Sequence, residues 1–312
     1  MKNILFFISL LLIEWQISYA GELPVRERIN INRDWRYQEH DPQEVDSALH
    51  YTRLKPYLLP CANDFILFGK KHIRPKGNPG NEIAYVKPDF DDSNWRQLNL
   101  PHDWAIEGEF SKDNPSGTGG GALPGGIGWY RKTFIADKAD EGKRLRIDFD
   151  GVYMNSEVFI NGHSLGVRPY GYVSFSYDLT PHIKWGEKNV IAVRVDNAEQ
   201  PNSRWYSGCG IYRNVWLISA AKQHISLTDY ASTGIYVDLP SVSEDRAEIS
   251  VRGTLVNRDV RRAVLKLDVE VLDTDGKTVA QSLRSVRIDA GGAFAFEERL
   301  QLEKPQLWSP DS

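Results

Sequence analysis

The stretch that decides the fold is Ser156-Glu157-Val158-Phe159-Ile160-Asn161-Gly162. Its first five residues have the pattern of a strand, and Asn161-Gly162 supplies the positive φ angles that a type I′ hairpin turn requires. The sequence therefore predicts a β-hairpin at this point. Further strands are predicted over 129–134, 145–149, 172–178 and 190–195, while helical signals are short and few. This half of the chain is therefore predicted to be a β-sandwich.

Less regular segments precede and interrupt these strands. An entry strand is predicted over 26–35, and a long loop-rich insertion over 40–88 carries six prolines. A second flexible stretch over 111–127 carries six glycines. Glycine at this density disfavours both a helix and a paired strand, and the stretch is too long for a simple turn.

The sequence pattern changes after Ala221. Alternating strands are predicted over 247–256, 263–272 and 278–288, with a hairpin turn at Asp275-Gly276. Short strands at this spacing indicate a second, smaller sandwich of immunoglobulin type. The predicted domains are residues 21–220 and 221–312.

Composition and charge exclude several classes of function. The net charge of -4 is spread without a basic stripe, so nucleic acid is not predicted as a partner. The seven histidines are scattered without metal-ligand spacing, and the glycine-rich stretch lacks the Lys-Ser/Thr pair of a phosphate loop. The sequence predicts no metal and no cofactor.

The first residues have the features of a signal peptide. Lys2 precedes an apolar run over 4–13, and Ser18-Tyr19-Ala20 before Gly21 matches the small-x-small cleavage rule. The run is shorter than the roughly 20 helical residues that cross a bilayer, so no membrane span is predicted. We expect residues 1–20 to be removed and the protein to be exported, either to the periplasm or outside the cell.

Two cysteines, Cys61 and Cys209, would enter that oxidising compartment. One disulfide and two separate thiols are both compatible with the sequence. A chain of this length does not need the cross-link, and free cysteine is among the most buried residue types. Two buried thiols are therefore favoured.

The most informative stretch for function is Asn202-Ser203-Arg204-Trp205-Tyr206-Ser207-Gly208-Cys209-Gly210-Ile211-Tyr212-Arg213-Asn214-Val215-Trp216-Leu217. Aromatic faces stack on sugar rings and guanidinium groups bond their hydroxyls, so this loop suits a carbohydrate surface. An ordinary loop that enters a buried strand explains the same residues. From Ile211 onward the alternation predicts a strand.

A second polar cluster, His102-Asp103-Trp104, follows Pro101. These side chains could orient one another at a cleft, but no serine or cysteine in a matching context supports a catalytic triad. A structural network that holds the loop on the sandwich is favoured. No carboxylate in the chain has a context that marks it as a catalytic acid or nucleophile.

Five motifs in order resemble glycoside hydrolase family 2, which includes β-galactosidases, β-glucuronidases and β-mannosidases. They are Leu100-Pro101-His102-Asp103-Trp104, Gly128-Trp129-Tyr130-Arg131-Lys132-Thr133-Phe134, Asp150-Gly151-Val152, Val158-Phe159-Ile160-Asn161-Gly162 and Gly210-Ile211-Tyr212-Arg213-Asn214-Val215. The resemblance extends from Ile29 to Ser312. Within the family, the sequences of the 204–208 loop and of residues 101–104 look most like those of exported bacterial enzymes of the β-galactosidase type.

The resemblance implies an all-β fold, a jelly-roll (galactose-binding-like) β-sandwich followed by an immunoglobulin-like β-sandwich. The family's chemistry lies in a third domain, a (β/α)₈ barrel in which two glutamates act with retention of configuration. We expect this chain to stop before that barrel and before the closing strands of the second sandwich. No catalytic residue is assigned, and the chain alone is expected to be inactive, with the barrel as its missing structural partner.

The resemblance also suggests which residues approach a β-linked glycoside. Arg204 and Trp205 are expected as glycone contacts, with Gly125 from the glycine-rich loop and His102 and Asp103 nearby. Because several branches carry aspartate at the position of Arg204, and arginine also suits a uronic acid, the glycone identity stays open. Two classes of function remain. The first is part of a glycosidase, either β-galactosidase-like or a β-glucuronidase or β-mannosidase. The second is a free-standing carbohydrate-binding protein.

Overall fold

The computed structural model describes residues 26–42, 45, 49, 51–59, 69–203, 205–227 and 232–307. The predicted signal peptide, Cys61, Arg204 and the last five residues lie outside the described residues. Within the described parts of the chain, no helix is long and apolar enough to cross a membrane.

In the part of the first domain that the structure describes there are ten strands and one α-helix. They are β1 (Arg26–Asn30), β2 (Trp35–Glu39), α1 (Tyr51–Leu58), β3 (Arg96–Leu98), β4 (Gly126–Ile135), β5 (Arg144–Phe149), β6 (Ser156–Ile160), β7 (His163–Arg168), β8 (Phe175–Asp178), β9 (Lys188–Asn197) and β10 (Val215–Ala220). A four-stranded antiparallel sheet has the order β1-β10-β5-β8, and a six-stranded antiparallel sheet has the order β3-β2-β4-β9-β6-β7.

The hairpin predicted at Asn161-Gly162 is confirmed. The two residues have φ angles of 50° and 82°, and β6 covers the predicted residues. The predicted entry strand is wrong in one respect, because it is two strands in different sheets. The two strands are separated by a turn that includes Asp34. The φ of Asp34 is 56°, and its backbone N–H donates to Asn99 Oδ1 at 2.9 Å.

The main core fills the space between the two sheets. Its largest fully buried members include Trp35, Tyr130, Phe149 and Ile191. All five residues of β6 are buried, which a strand facing solvent on one side would not show. The reason is a second apolar cluster on the other face of the six-stranded sheet, where Trp129 and Phe159 pack under residues from 45 to 95. The six-stranded sheet is therefore covered on both faces.

The segment predicted as a loop-rich insertion forms this cover. It contains α1, and its later part is held by Arg131, a β4 residue that is only 1% exposed. Arg131 Nε donates to Asp92 Oδ2 at 2.7 Å, and its Nη1 donates to the carbonyls of Tyr85 and Lys87. A buried guanidinium needs this number of acceptors, so the insertion is packed on the domain by a specific contact.

Six strands form the second domain: β11 (Gln223–Ile225), β12 (Ile235–Val242), β13 (Arg246–Asn257), β14 (Ala263–Leu272), β15 (Thr278–Ile288) and β16 (Ala293–Glu303). Strand β13 is central, with β16 on one edge and β11 and β12 on the other. Strands β14 and β15 form a separate hairpin. Residues such as Leu267, Val286 and Phe296 are buried in a third apolar cluster. The predicted bounds of β14 and β15 are confirmed.

A buried charge cluster lies on the six-stranded sheet where β6 and β9 pair. Arg194 binds three carboxylates: Asp41 at 2.6 Å, Asp196 at 3.0 Å and Glu157 at 3.2 Å. Glu157 is the most buried of the three, and desolvation raises its pKa to about 8. One cation faces three carboxylates, and burial favours the protonated form of Glu157.

This proton makes stability depend on pH. The carboxyl ionises near pH 4.3 in the unfolded chain, so the folded state binds the extra proton between roughly pH 4.3 and 8 and loses stability as pH rises through that window. We expect Glu157→Gln to gain stability relative to the wild type over this range, by at most about 1.4 kcal/mol per pH unit. Urea unfolding at pH 5, 6, 7 and 8 checks this. Glu199→Gln, at an exposed position, is the charge-matched control. If the free energy of unfolding of Glu157→Gln and of the wild type changed with pH in parallel, the proton assigned to Glu157 would be contradicted.

Candidate functional site

Two segments without strand geometry are joined by backbone hydrogen bonds at one end of the first domain. The N–H of His102 donates to Ile211 O at 2.9 Å, and the N–H of Trp104 donates to Cys209 O at 3.0 Å. Gly210 also exchanges both backbone bonds with Tyr153, at 2.9 and 3.0 Å. The strand predicted from Ile211 is confirmed only from Val215 onward, where β10 begins, and residues 211–214 are not part of a strand.

Gly210 is required at the centre of this junction. Its φ is +128°, and a Cβ built on it would lie 2.4 Å from Tyr130 Oη and 2.6 Å from His102 O. Both obstacles are parts of the buried core, so neither can swing away as a flexible side chain could. Only glycine fits the backbone and the space at this position.

Asp103 connects the two segments through its carboxylate. Oδ1 accepts the N–H of Ala105 at 3.0 Å and the N–H of Cys209 at 2.8 Å, while Oδ2 accepts the hydroxyl of Tyr206. These three donors come from both sides of the junction. Asp103 therefore positions the loop of residues 202–208, and both of its carboxylate oxygens accept hydrogen bonds from protein groups.

Two asparagines fix the other side of that loop. Asn197 Nδ2 donates to Gly208 O and to Cys209 Sγ, each at 3.0 Å. Asn202 in turn donates to Asn197 Oδ1. The sequence reasoning missed Asn197; the signal was an asparagine at a strand end before a proline-containing loop, where a short amide side chain bonds nearby backbone groups.

The tip of the loop is Trp205, whose side chain is among the most exposed large apolar groups of the described residues at 80%. Its backbone N–H and carbonyl both bond Ser203 Oγ, which closes the turn. Arg204, its predicted partner, lies outside the described residues. An aromatic side chain held in water by an anchored loop is what a ligand-stacking surface requires.

His102 lies beneath this surface. The imidazole is buried, its Nδ1 is 2.7 Å from Tyr130 Oη, and the Tyr37 ring packs edge-on at 4.7 Å. Its Nε2 lies 3.5 Å from Glu107 Oε2 without hydrogen-bond geometry. Burial lowers the pKa of His102, so the ring is neutral near pH 7. A direct sugar contact would need an exposed polar atom, which this imidazole lacks; its role in the structure is packing.

A recess of about 390 Å³ opens beside the junction. Trp104, Glu107 and Gly125 are among its lining residues. Gly125 O accepts the indole N–H of Trp104 at 3.0 Å, and a Cβ on Gly125 would lie 2.7 Å from Asn197 O. Gly125 thus lets the glycine-rich loop pack directly on the end of β9 and forms part of the recess wall.

Glu107, a carboxylate that lines the recess, forms an ion pair with Arg96. Arg96 donates to both of its oxygens, at 2.5 and 2.9 Å. This bidentate pair lowers the pKa of Glu107, so the group is ionised at neutral pH. An ionised, doubly bonded carboxylate is a poor proton donor, and Glu107 serves to brace the 105–107 turn against β3.

The glycine-rich stretch is more ordered than a flexible loop. Asn114 Nδ2 donates to the carbonyls of Glu109 and Ala122, and Ser116 Oγ donates to Leu123 O at 2.6 Å. The prediction that the stretch stays unpaired to residue 127 is wrong at its end, because β4 already begins at Gly126. Pairing of Gly126 with Asn197 is what brings the stretch to the 202–208 loop.

Cys209 is a free, buried thiol, and desolvation raises its pKa to about 12. It contacts Asn197 Nδ2 and belongs to the packed base of the loop. Cys61 lies outside the described residues. Among the residues that the structure describes, no group of three or more His, Cys, Asp or Glu side chains could hold a metal ion.

Family models match both domains. The model described as the sugar binding domain of glycosyl hydrolases family 2 matches residues 122–221, and a second model of the same family matches residues 232–312. Together they span more than half of the 312 residues. The chain belongs to glycoside hydrolase family 2.

Curated members of family 2 show how much of such a protein this chain covers. It is 58% identical to beta-galactosidase BoGH2A of Bacteroides ovatus over 75% of this chain and 27% of that protein. It is 33% identical to a beta-glucuronidase of Formosa agariphila over 91% of this chain and 26% of that protein. The chain therefore spans about a quarter of the length of these relatives.

Solved structures of family 2 proteins agree with the fold. A member from Bacteroides cellulosilyticus superposes with a TM-score of 0.73 at 31% identity, over 91% of this chain and 32% of that one. Bacteroides uniformis beta-glucuronidase gives a TM-score of 0.71 at 27% identity, over 91% of this chain and 29% of that one. The predicted fold class, a jelly-roll sandwich followed by an immunoglobulin-like sandwich, is confirmed.

Proposed function

We propose that this family 2 chain supplies the sugar-side domains of an exported β-galactosidase-type enzyme. The enzyme removes terminal β-linked galactosyl residues with retention of configuration. The two catalytic glutamates belong to a (β/α)₈ barrel outside these 312 residues, and the chain alone is inactive. The observation that carries the proposal is the 58% identity to a β-galactosidase, against 42% to a putative beta-glucuronidase and 33% to a beta-glucuronidase, both of Formosa agariphila.

The geometry of the loop around Trp205 supports a role at the rim of a sugar site. Trp205 is exposed at 80%, while Asp103 and Asn197 fix the base of its loop. A rigid aromatic ring presents a flat apolar face at low entropic cost, which suits stacking on a pyranose. Arg204 precedes it in sequence and would add hydroxyl recognition. Asp103 and His102 act behind this rim as its support, and Gly125 forms part of the adjacent wall.

The charge state of the recess supports placing hydrolysis elsewhere. A retaining glycosidase needs a protonated acid and a nucleophilic carboxylate about 5 Å apart. The lowered pKa of Glu107 disfavours it as the acid, and Arg96 bonds both of its oxygens, so neither is free to act as the nucleophile. Export is supported by the residues before Gly21, which combine a basic start, a short apolar run and a small-x-small cleavage site.

β-Glucuronidase activity is the second candidate. It is favoured by the β-glucuronidase relative that aligns over 91% of this chain and by Arg204, whose guanidinium suits a uronic acid carboxylate. Removal of that charge separates the two. If Arg204 binds the carboxylate of a glucuronide, Arg204→Gln weakens turnover of a β-glucuronide far more than turnover of a β-galactoside.

The test of the proposed rim is Trp205→Ala in the protein expressed from its complete natural reading frame. Loss of one stacking face is expected to raise KM for a chromogenic β-galactoside about tenfold, equivalent to about 1.4 kcal/mol, with a smaller change in kcat. Ile135→Ala is the matched control, because Ile135 is 72% exposed and lies at the opposite end of β4.

Two outcomes would count against this function. Equal KM values for wild type and Trp205→Ala would remove Trp205 from the sugar site. Specific capture of free glycans by the 312-residue chain, together with a reading frame that encodes no barrel, would instead favour a free-standing carbohydrate-binding protein.

A further inference from the structure

Two tyrosines in the segment between β7 and β8 are exposed to solvent. Tyr170 is 61% exposed and Tyr172 is 52% exposed. Their rings are in edge-to-face contact, with centroids 5.6 Å apart. Exposure of large apolar faces to water is unfavourable, and adjacent exposed aromatic rings are typical of a binding surface. Neither tyrosine has a role in the function proposed above.

The backbone between the two tyrosines is anchored. Gly171 O accepts the hydroxyl of Tyr212 at 2.8 Å, and a Cβ built on Gly171 would overlap the ring of Tyr153. Gly171 is buried, so its backbone packs directly on that ring. The ring of Tyr172 then lies edge-on to Tyr153, with centroids 5.1 Å apart. An anchored backbone that carries exposed aromatic rings loses little entropy when a ligand binds.

Tyr153 connects this pair to the loop that carries Trp205. Its backbone exchanges two hydrogen bonds with Gly210, at 2.9 and 3.0 Å, and its hydroxyl donates to Asn202 Oδ1 at 3.5 Å. Asn202 belongs to that loop and is exposed. The contacts from Tyr172 through Tyr153 to Asn202 are therefore continuous, and the exposed tyrosines lie beside the proposed rim of the sugar site.

Polar groups border the aromatic faces. Each tyrosine carries a hydroxyl, and the exposed Arg213 has its guanidinium 5.6 Å from the centre of the Tyr212 ring. A sugar ring has an apolar face and a rim of hydroxyls, so flat rings with hydrogen-bonding groups at their edges match both. This combination suits a carbohydrate better than a purely apolar partner.

We propose that Tyr170 and Tyr172 form a second stacking surface, which contacts a sugar on the leaving-group side of the hydrolysed bond. Trp205 then contacts the terminal galactosyl residue, and the tyrosine pair contacts a sugar that follows it. The inference rests on the proposed function and deepens it, because it makes galactose-terminated oligosaccharides the preferred substrate class. Stacking away from the reacting bond supplies binding energy that a galactoside without further sugars cannot use.

The test compares β-1,4-galactotetraose with methyl β-galactoside, whose methyl group is too small to reach a second surface. Galactose release is measured with the protein expressed from its complete natural reading frame. Tyr170→Ala/Tyr172→Ala is expected to lower kcat/KM for the tetraose about tenfold and to leave that for the methyl galactoside within about twofold. Tyr170→Phe/Tyr172→Phe keeps both rings and is the matched control, expected to resemble the wild type on both substrates.

Three results would overturn the second surface while leaving the proposed function intact. They are unchanged kinetics in the double alanine variant, a loss of equal size on both substrates, and a wild type that hydrolyses methyl β-galactoside but not the tetraose. A loss of equal size would mean that the tyrosines support the fold or the active site as a whole. A wild type that hydrolyses neither substrate would overturn the proposed function, and this inference with it.

Discussion

Gly210→Ala is expected to destabilise the first domain more than any other substitution considered for this chain. The new Cβ would lie 2.4 Å from Tyr130 Oη and 2.6 Å from His102 O, at a φ of +128° that disfavours any L side chain. Overlap with a packed core and an unfavourable backbone act together, so we expect a loss of more than about 3 kcal/mol in the free energy of unfolding. Urea unfolding followed by tryptophan fluorescence measures it.

A second glycine separates the two causes. Gly276 also has a positive φ, +79°, but no atom lies within 4 Å of its built Cβ. Gly276→Ala therefore carries the backbone cost alone, about 1 to 2 kcal/mol. A Gly210→Ala protein that is destabilised no more than Gly276→Ala would contradict the packing assigned to the junction of residues 102–104 and 209–211.

Asp103→Ala is expected to have the next largest effect. The substitution leaves the N–H groups of Ala105 and Cys209 and the hydroxyl of Tyr206 without their acceptor. Hydrogen bonds to a charged acceptor contribute about 1.5 to 3 kcal/mol each, and partial exposure reduces the sum, so we expect a total loss of about 3 kcal/mol. The loop that carries Trp205 should also loosen, because its anchor is gone.

Two measurements check Asp103→Ala. Urea unfolding gives the global loss, and limited trypsin digestion gives the rate of cleavage after Arg204 in the loosened loop. Asp113→Ala is the control, since Asp113 is exposed. Unchanged cleavage after Arg204 in Asp103→Ala would show that the carboxylate does not hold the loop.

Local signals explain which parts of the fold the sequence predicts. Asn161 and Gly162 both have positive φ, and at the Asp275-Gly276 turn Gly276 alone does. These turn residues are local signals, and the adjacent strands are correctly placed in both domains. The path of residues 210–214 is not predicted, because it depends on bonds of Gly210 with Tyr153, of Ile211 with His102 and of Asn214 with Asp150, which lie far away in sequence. Alternation alone cannot distinguish such a segment from a strand.

The cover on the six-stranded sheet was missed for a similar reason. Proline content indicates an irregular insertion, and its described residues 69–88 contain turns and one short 3₁₀ segment but no strand. Its attachment depends on Arg131 meeting Asp92 and two carbonyls, which no sequence period reveals. The complete burial of β6 follows from that attachment and could not be read from the hairpin itself.

The sequence motifs mark segments that the structure brings together, and the sugar-binding roles of their residues stay predictions. The segments 101–104, 117–128 and 202–210 do meet at one end of the first domain. Residue type alone does not tell a ligand-facing histidine from a packed one, and His102 is buried against Tyr37 and Tyr130. The carboxylate oxygens of Asp103 likewise accept hydrogen bonds from backbone N–H groups and from a tyrosine hydroxyl. Trp205 is the predicted contact that the described structure leaves exposed to solvent.

The most direct test of the proposed enzyme is its choice of glycone. The measurement is kcat/KM for 4-nitrophenyl β-galactoside and β-glucuronide, with the protein expressed from its complete natural reading frame and the 312-residue chain assayed beside it. We predict a preference for the galactoside of about 100-fold or more, the equivalent of about 2.7 kcal/mol, and no turnover by the 312-residue chain. A preference for the glucuronide, or turnover by the 312-residue chain, would contradict the account.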